Sequence, residues 1–228
     1  MQDRRHFLKQ ASAFAVGFAG LHAFVGCETQ KSAELGFGPL RTDPDGVFDL
    51  PDGFSYQIIS RHGDPMDDGF RVPHRPDGMA TFPGPDGTTL LVRNHEIDAD
   101  APREEGPFRS EGDASVSQIP DGERYDAGRT DRGGLGGTTT VVYDTEQQAV
   151  RRQFLSLAGT IRNCAGGPTP WNSWLTCEET VQRANDTFAQ DHGYVFEVPA
   201  TAQMRRATPR PIKAMGRFNH EAVAVDPN

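Results

Sequence analysis

The chain has 228 residues, a formal net charge of −9 and only 36% hydrophobic residues. Its 25 glycines and 17 prolines favour short strands joined by turns over long helices. The acidic balance argues against a nucleic-acid partner, because phosphate backbones require a basic face. An acidic protein that handles anions needs bound metal ions or a local cluster of arginines.

The first segment is predicted to be an export signal. Arg4 and Arg5 precede the apolar run ASAFAVGFAGLHAFVG, and the order Arg-Arg-x-Phe-Leu-Lys is typical of twin-arginine signals. Residues 1–27 are therefore assigned to the signal and residues 28–45 to a polar tether. Cys27 ends the apolar run in a candidate lipobox, which leaves open either a lipid anchor on Cys27 or cleavage nearby. Twin-arginine export of folded, cofactor-loaded proteins favours a metal protein.

Short runs rich in Val, Thr, Tyr and Phe follow the tether and are separated by turn residues. They predict strands at residues 54–60, 88–94, 137–144, 149–159, 173–179, 193–199 and 221–227. Glutamates recur at several strand ends, which suggests radial repetition. The predicted fold is therefore all-β and propeller-like, an incomplete ring of short antiparallel blades with long loops. The longest loop, residues 98–132, is charged and is predicted to have no apolar face. Because the last strand lacks a partner, we expect the chain to be a fragment.

Four motifs bring acids to strand ends: RNHE at 93–96, TCEET at 176–180, HGYVFE at 192–197 and RFNHE at 217–221. Adjacent strand residues point to opposite faces, so only one member of each His-Glu or Glu-Glu pair can face a given site. We favour Glu96, Glu178 and Glu221 as ligands. Carboxylate oxygens of this kind suit calcium or ferric iron.

Cys164 lies in a loop that combines a Gly-Gly pair with prolines, so the backbone can approach a site closely. Its thiol is either a metal ligand or the partner of Cys177 in a disulfide. Cys177 lies within an apolar strand, where it is typical of a buried packing residue. Arg162 either holds an anion or is an ordinary surface arginine. Trp171 and Trp174 are expected to be wedges in the core.

Several blocks of the sequence resemble the PhoX-type alkaline phosphatases. They are PDGMATFPGPDGTTLLVRNHE, GGTTTVVYD, GTIRNCAGGPTPWNSWLTCEET and MGRFNHEAVAVDP, in this order and behind a twin-arginine signal. The resemblance covers residues 75–228. It implies a β-propeller with its site at the axial mouth, and a phosphomonoesterase that depends on Ca²⁺ and Fe³⁺. Family members are considerably longer, so residues 46–228 are expected to be the N-terminal part of such a domain.

The resemblance also implies roles for individual residues. Cys164 matches the iron-ligating cysteine of the family, and Glu96, Glu178 and Glu221 match metal-binding glutamates. Whether Glu178 or Glu179 is the ligand stays open. Arg162 is a candidate phosphate contact within the catalytic site because of its position next to Cys164, whereas the phosphate-facing arginine that the resemblance implies belongs to the second half of family members.

The expected partners are a phosphate monoester substrate and the twin-arginine translocation machinery, with a lipid anchor if Cys27 is modified. The protein is expected to be a monomer that is periplasmic, membrane-anchored or secreted. Two alternatives remain at this stage. One is a non-catalytic, calcium-stabilised exported propeller lipoprotein, and the other is a different propeller hydrolase.

Overall fold

The computed structural model describes residues 36–108, 118–120, 122–129 and 133–227. The predicted export signal, Cys27 and the first part of the tether lie outside these residues. The described part of the chain divides into two compact units, one that ends at residue 57 and one that begins at residue 58. In the first unit, β1 (Leu40–Arg41) and β2 (Leu50–Pro51) form a small antiparallel sheet. Within the described residues no helix is long and apolar enough to cross a membrane.

The described residues of the second unit form seven strands in two antiparallel sheets. The first sheet has the order β3 (Pro76–Pro83), β4 (Thr88–His95), β5 (Gly136–Asp144) and β6 (Ala149–Thr160). The second has the order β7 (Asn163–Pro168), β8 (Ser173–Glu178) and β9 (Val195–Pro199). Short 3₁₀ turns occupy Pro85–Gly87, Arg103–Glu105 and Lys213–Met215, and no α-helix occurs among the described residues.

The all-β prediction is confirmed. In both sheets each strand pairs with its neighbour in sequence, as in the blades of a propeller. The two sheets do not close into a barrel and are consistent with the predicted incomplete ring of blades.

Five of the predicted strands are present as β4, β5, β6, β8 and β9. Residues 54–60 and 221–227 are extended or irregular and form no strand, so those two predictions are wrong. Residue Val223 nevertheless lies against β7, where its N–H donates to the carbonyl of Gly166 at 3.3 Å.

Two strands, β3 and β7, were not predicted, and both lie at sheet edges. Prolines at either end of β3 are tolerated there because an edge strand leaves one set of N–H groups unpaired. In β7, a Cβ added at Gly166 would lie 1.8 Å from the carbonyl oxygen of Leu175. A Cβ at Gly167 would lie 2.0 Å from that of Val223. The glycines therefore allow a backbone contact that any side chain would block.

The two sheets share one hydrophobic core. Its buried members come from both sheets: Phe82, Leu90, Val92, Val142, Phe154, Leu157, Trp174, Phe196 and Val198. Trp174 is buried here, as predicted for a core wedge, whereas Trp171 is 61% exposed and the prediction for it is wrong.

A second core cluster lies under loops and includes Phe70, Phe108, Ile119 and Leu155. The segment 98–132 was expected to lack an apolar face. Its described part contradicts this, since Phe108 and Ile119 are both buried.

Candidate metal and phosphate site

Three strand ends meet at one place in the second unit. Glu96 follows β4, Arg162 lies in the turn between β6 and β7, and Glu179 follows β8. The backbone fixes these neighbours: the N–H of Arg162 donates to the carbonyl of Ile97, and the N–H of Glu179 donates to the carbonyl of Arg162, both at 2.9 Å. Residues far apart in sequence therefore present their side chains to one site.

A buried hydrogen-bond network connects the strands whose ends form this site. The amide of Asn94 donates to the carbonyl of Ala165 at 2.8 Å, while its oxygen accepts from Trp174 and from Thr176, each at 2.8 Å. Asn163 donates in turn to the hydroxyl of Thr176 at 2.9 Å. Because the network joins β4 to β7 and β8, it fixes the strands whose ends carry the site.

Arg162 is surrounded by carboxylates. Its Nη2 lies 2.8 Å from Oε2 of Glu179 and 3.1 Å from Oε1 of Glu96, and its Nε lies 3.8 Å from Oδ1 of Asp98. We call Glu96, Asp98, Arg162 and Glu179 the Arg162 cluster. All four side chains are partly exposed to solvent, between 27% and 38%. An incoming ligand can therefore reach them.

The cluster holds three carboxylates and one arginine, and the neighbouring Arg75 neutralises part of this negative charge by pairing with Asp98. Burial raises the pKa of Glu96, and the charges of Asp77 and Glu179 add to this rise, while Arg162 opposes it. For Arg162 itself, burial lowers the pKa, but Glu179, Glu96 and Asp98 outweigh burial and raise it. An excess of carboxylates of this kind favours a bound cation.

Arg162 has an unusual backbone conformation. Its φ of 49° lies in the left-handed region that residues other than glycine seldom adopt. Such strain persists only where the surroundings impose it, and it concentrates at functional sites. The Nε of Arg162 is buried and has no hydrogen-bond partner among the described residues. Both hydrogen bonds from the guanidinium to carboxylates come from Nη2, which leaves Nη1 with donor capacity that Glu96 and Glu179 do not use.

Cys164 lies beside the Arg162 cluster. Its sulfur lies 3.4 Å from the carbonyl oxygen of Glu221 and 3.5 Å from that of His220, and its single S–H can donate to either. Burial raises the pKa of Cys164 to about 11, and the charges of Glu179 and Glu96 contribute to the rise. The group is therefore a neutral thiol near pH 7, and only a nearby cation would favour the thiolate.

The structure contains no disulfide between the two cysteines of the described chain. Both thiols are free and buried. Cys177 is fully buried beside Leu175 and Val195, which agrees with its expected packing role.

Glu178 lies in a different environment from Glu179. It is completely buried, and Oε1 accepts a bond from the N–H of Ile161 at 3.1 Å. Oε2 accepts bonds from the N–H groups of Gly193 at 2.8 Å and Tyr194 at 3.2 Å. Its role as a metal ligand stays a prediction, but protein groups already occupy both oxygens.

A buried histidine joins Glu178 to a second carboxylate. His192 Nδ1 lies 2.7 Å from Oε1 of Glu178, and its Nε2 lies 3.1 Å from Oδ2 of Asp126, with all three side chains fully buried. Burial alone lowers the pKa of His192, but the bonds to Asp126 and Glu178 outweigh burial and raise the pKa to about 9. We call these residues the buried triad. The motif HGYVFE had drawn attention to this segment, but no role was predicted for His192 or Asp126.

The two His-Glu pairs follow the predicted alternation. His95 is fully buried, and burial lowers its pKa to about 3, whereas Glu96 faces the Arg162 cluster. His220 is likewise buried, and Glu221 is exposed. The side chain of Glu221 makes no contact with the Arg162 cluster, and its role as a ligand stays a prediction. The residues that sequence reasoning missed are Asp98, which lies in a loop, and Asp77, which lies in the edge strand β3; neither segment carried a ligand motif.

Within the described residues, no three His, Cys, Asp or Glu side chains are arranged closely enough to hold a metal ion. The chemistry of the donors does suit one, since three carboxylates lie around Arg162 and the charges of two of them, Glu96 and Glu179, act on the thiol of Cys164.

Comparison with known proteins identifies the family. The family model described as Alkaline phosphatase PhoX matches residues 35–228. The chain belongs to this family. The PhoX match contains the Arg162 cluster, Cys164 and the buried triad. No curated protein sequence matches the chain significantly.

One solved structure is similar to the chain. It is described as Pseudomonas fluorescens PhoX in complex with vanadate, a transition state analogue, with 19% identity and a TM-score of 0.48. The likeness covers 76% of this chain and 43% of the solved chain. This chain thus spans less than half the length of that PhoX protein.

Proposed function

We propose that the chain forms part of a metal-dependent phosphomonoesterase of the PhoX type, which releases phosphate from phosphate monoesters outside the cytoplasm. The observation that supports this most strongly is the Arg162 cluster. It combines a guanidinium with unused donor capacity and an excess of carboxylates, next to a buried thiol. An arginine for the phosphate and acids for a cation are the parts that phosphoryl transfer requires.

Three side chains of this chain are proposed as metal ligands. Glu96 and Glu179 would provide hard oxygen ligands for Ca²⁺ or Fe³⁺, and Cys164 would provide a thiolate for iron. We place Glu179 in this role because Glu178 already satisfies both its oxygens within the protein. Glu221 is retained as a candidate, because its backbone lies within 3.4 Å of the Cys164 sulfur. When bound, the cations would supply positive charge to the phosphoryl oxygens.

Arg162 has a separate role in the proposal. Its planar guanidinium can contact two phosphate oxygens at once and hold the phosphoryl group in one orientation. The carboxylates of Glu96 and Glu179 restrict its rotation. The buried triad keeps Glu178 and the adjoining turn in place, so that Arg162 and Glu179 stay adjacent.

The location of the protein is proposed from its first residues. The Arg-Arg-x-Phe-Leu-Lys order supports export by the twin-arginine route, with or without a lipid anchor on Cys27. The expected partners are the translocation machinery during export and a phosphate monoester afterwards.

Hydrolysis of p-nitrophenyl phosphate tests the proposed function. The enzyme of which this chain forms part, loaded with Ca²⁺ and Fe³⁺, is expected to hydrolyse this substrate at alkaline pH and to lose the activity when EGTA removes calcium. Melting temperatures measured in parallel show whether EGTA also unfolds the protein. Calcium-dependent melting without turnover would instead support the non-catalytic lipoprotein, and turnover that resists both EGTA and iron removal would contradict the proposal.

A further inference from the structure

A cavity of about 460 Å³ lies along β9 and shares no lining residue with the Arg162 cluster. Its walls carry three guanidinium groups and three hydroxyl groups. These belong to Arg205, Arg206, Arg210, Ser156, Thr201 and Thr208. Of the three hydroxyl groups, that of the buried Ser156 is already bonded to the hydroxyl of Thr138 at 2.8 Å. Among its lining residues, Glu197 is the only acid.

The backbone holds one wall of this cavity in place. The N–H of Ala207 donates to the carbonyl of Ser156 on β6 at 2.7 Å. The N–H of Ile212 donates to the carbonyl of Val195 on β9 at 2.9 Å, and Pro211 forms a bridge with Phe196. The segment 207–212 is therefore attached at both ends to separate sheets, so the cavity exists before a ligand arrives.

The charged side chains of the cavity fall into two groups. Arg206 is committed to the fold, because its Nε and Nη2 lie 2.8 Å and 2.7 Å from Oε2 of Glu123. Glu197 accepts hydrogen bonds at 2.6 Å from Trp171 and from Ser173. Arg205 and Arg210, by contrast, form no side-chain hydrogen bond or ion pair with any described residue.

Two unpaired arginines at one cavity are notable in a chain whose net charge is −9. Both side chains are exposed, so an anion from solvent can reach them. Arginine forks match the geometry of oxyanions, and hydroxyl groups add further donors. The volume lies within the range of small-molecule sites and exceeds what a bare phosphate group fills.

We propose that this cavity binds a doubly charged oxyanion, the phosphate group of inorganic phosphate or of a phosphate monoester. Arg205 and Arg210 hold the group, and Thr201 and Thr208 donate to it from the same wall. The inference does not depend on the proposed hydrolysis, because it rests on residues outside the Arg162 cluster.

Isothermal titration calorimetry tests this site. Inorganic phosphate and phenylphosphonate, a monoester analogue that cannot be hydrolysed, are titrated into the wild type, R205Q/R210Q, and the control R61Q. Arg61 is an exposed arginine outside the cavity lining. The double variant is expected to bind both anions about tenfold more weakly or worse, since each arginine supplies a charge-assisted bond. The control is expected to bind as the wild type does.

A second double variant and a comparison of the two anions test whether the arginines bind the phosphate group. R205K/R210K keeps both charges and is expected to recover much of the affinity, and melting temperatures confirm that each variant is folded.

Tighter binding of phenylphosphonate than of phosphate assigns the site to esters, whereas equal affinities assign it to the phosphate group alone. Unchanged affinity in R205Q/R210Q, or loss of binding in Arg162→Gln instead, would overturn the inference and place the anion in the Arg162 cluster. Because hydrolysis of p-nitrophenyl phosphate is measured separately, failure of this site is distinguishable from failure of the proposed function.

Discussion

Replacing His192 by Gln is expected to lower the free energy of unfolding by about 3–5 kcal/mol, the cost typical of breaking a buried ion pair. The histidine bonds to Glu178 and Asp126, and all three side chains are fully buried. Removing its positive charge leaves two carboxylates without water and without a cation. Urea denaturation of both proteins, followed by circular dichroism, measures the difference.

The control for this experiment is His74→Gln. His74 is 49% exposed and lies 3.7 Å from Glu105 in a solvent-accessible pair. Exposed pairs contribute at most about 1 kcal/mol, so this variant is expected to stay within that range. Equal small losses in the two variants would show that the buried triad does not stabilise the fold.

The buried triad also predicts how stability depends on pH. The pKa of His192 rises from 6.5 to about 9 on folding. Its contribution to the free energy of unfolding is therefore fully present below pH 6.5 and is lost as the pH rises through 9. The pKa of Asp126 falls on folding, because hydrogen bonds from His192 and from backbone N–H groups outweigh burial. Its contribution is therefore present above its ordinary pKa of 3.8 and is lost in acid. Thermal melting from pH 4 to pH 10 is expected to show a decline between pH 6.5 and pH 9 that is absent in His192→Gln.

The second large effect is expected in catalysis. Arg162→Gln should reduce kcat/KM for p-nitrophenyl phosphate about 100-fold or more, the usual cost of removing one donor to a developing oxyanion. Glutamine has similar bulk but lacks the charge and the fork that contact phosphate. Steady-state kinetics of the metal-loaded protein measures the ratio.

Arg151→Gln is the matched control for this variant. Arg151 also pairs with a carboxylate, since its Nη2 lies 2.6 Å from Oδ2 of Asp144, but the pair is at a solvent-exposed turn. Its kcat/KM is expected to match the wild type. Comparable kinetics for Arg162→Gln and Arg151→Gln would remove Arg162 from the proposed catalytic site.

The sequence predicts the centre of each sheet better than its edges. The inner strands β4, β5 and β8 carry β-branched and apolar residues that mark them clearly. The edge strands β3 and β7 contain Pro and Gly, which are typical of turns. Their extended form depends on partners across the sheet that a local pattern does not reveal.

Local sequence patterns also predicted some residues of the candidate site. Alternation along a strand correctly separated buried His95 from the site-facing Glu96. It did not decide between Glu178 and Glu179, because that choice depends on where β8 ends. The contributions of Asp98 and His192 depend on loops that meet only in the folded chain, so no local motif indicated them.

The most direct test of the proposed metal site compares two buried cysteines of the same core cluster. Iron content is measured by mass spectrometry for the wild type, Cys164→Ala and Cys177→Ala, each purified after expression with added iron. Cys164→Ala is expected to lose its bound iron, whereas Cys177→Ala is expected to keep it and to show only a lower melting temperature. Full iron content in folded Cys164→Ala, or equal loss in both variants, would contradict the assignment of Cys164 to a metal centre beside Arg162.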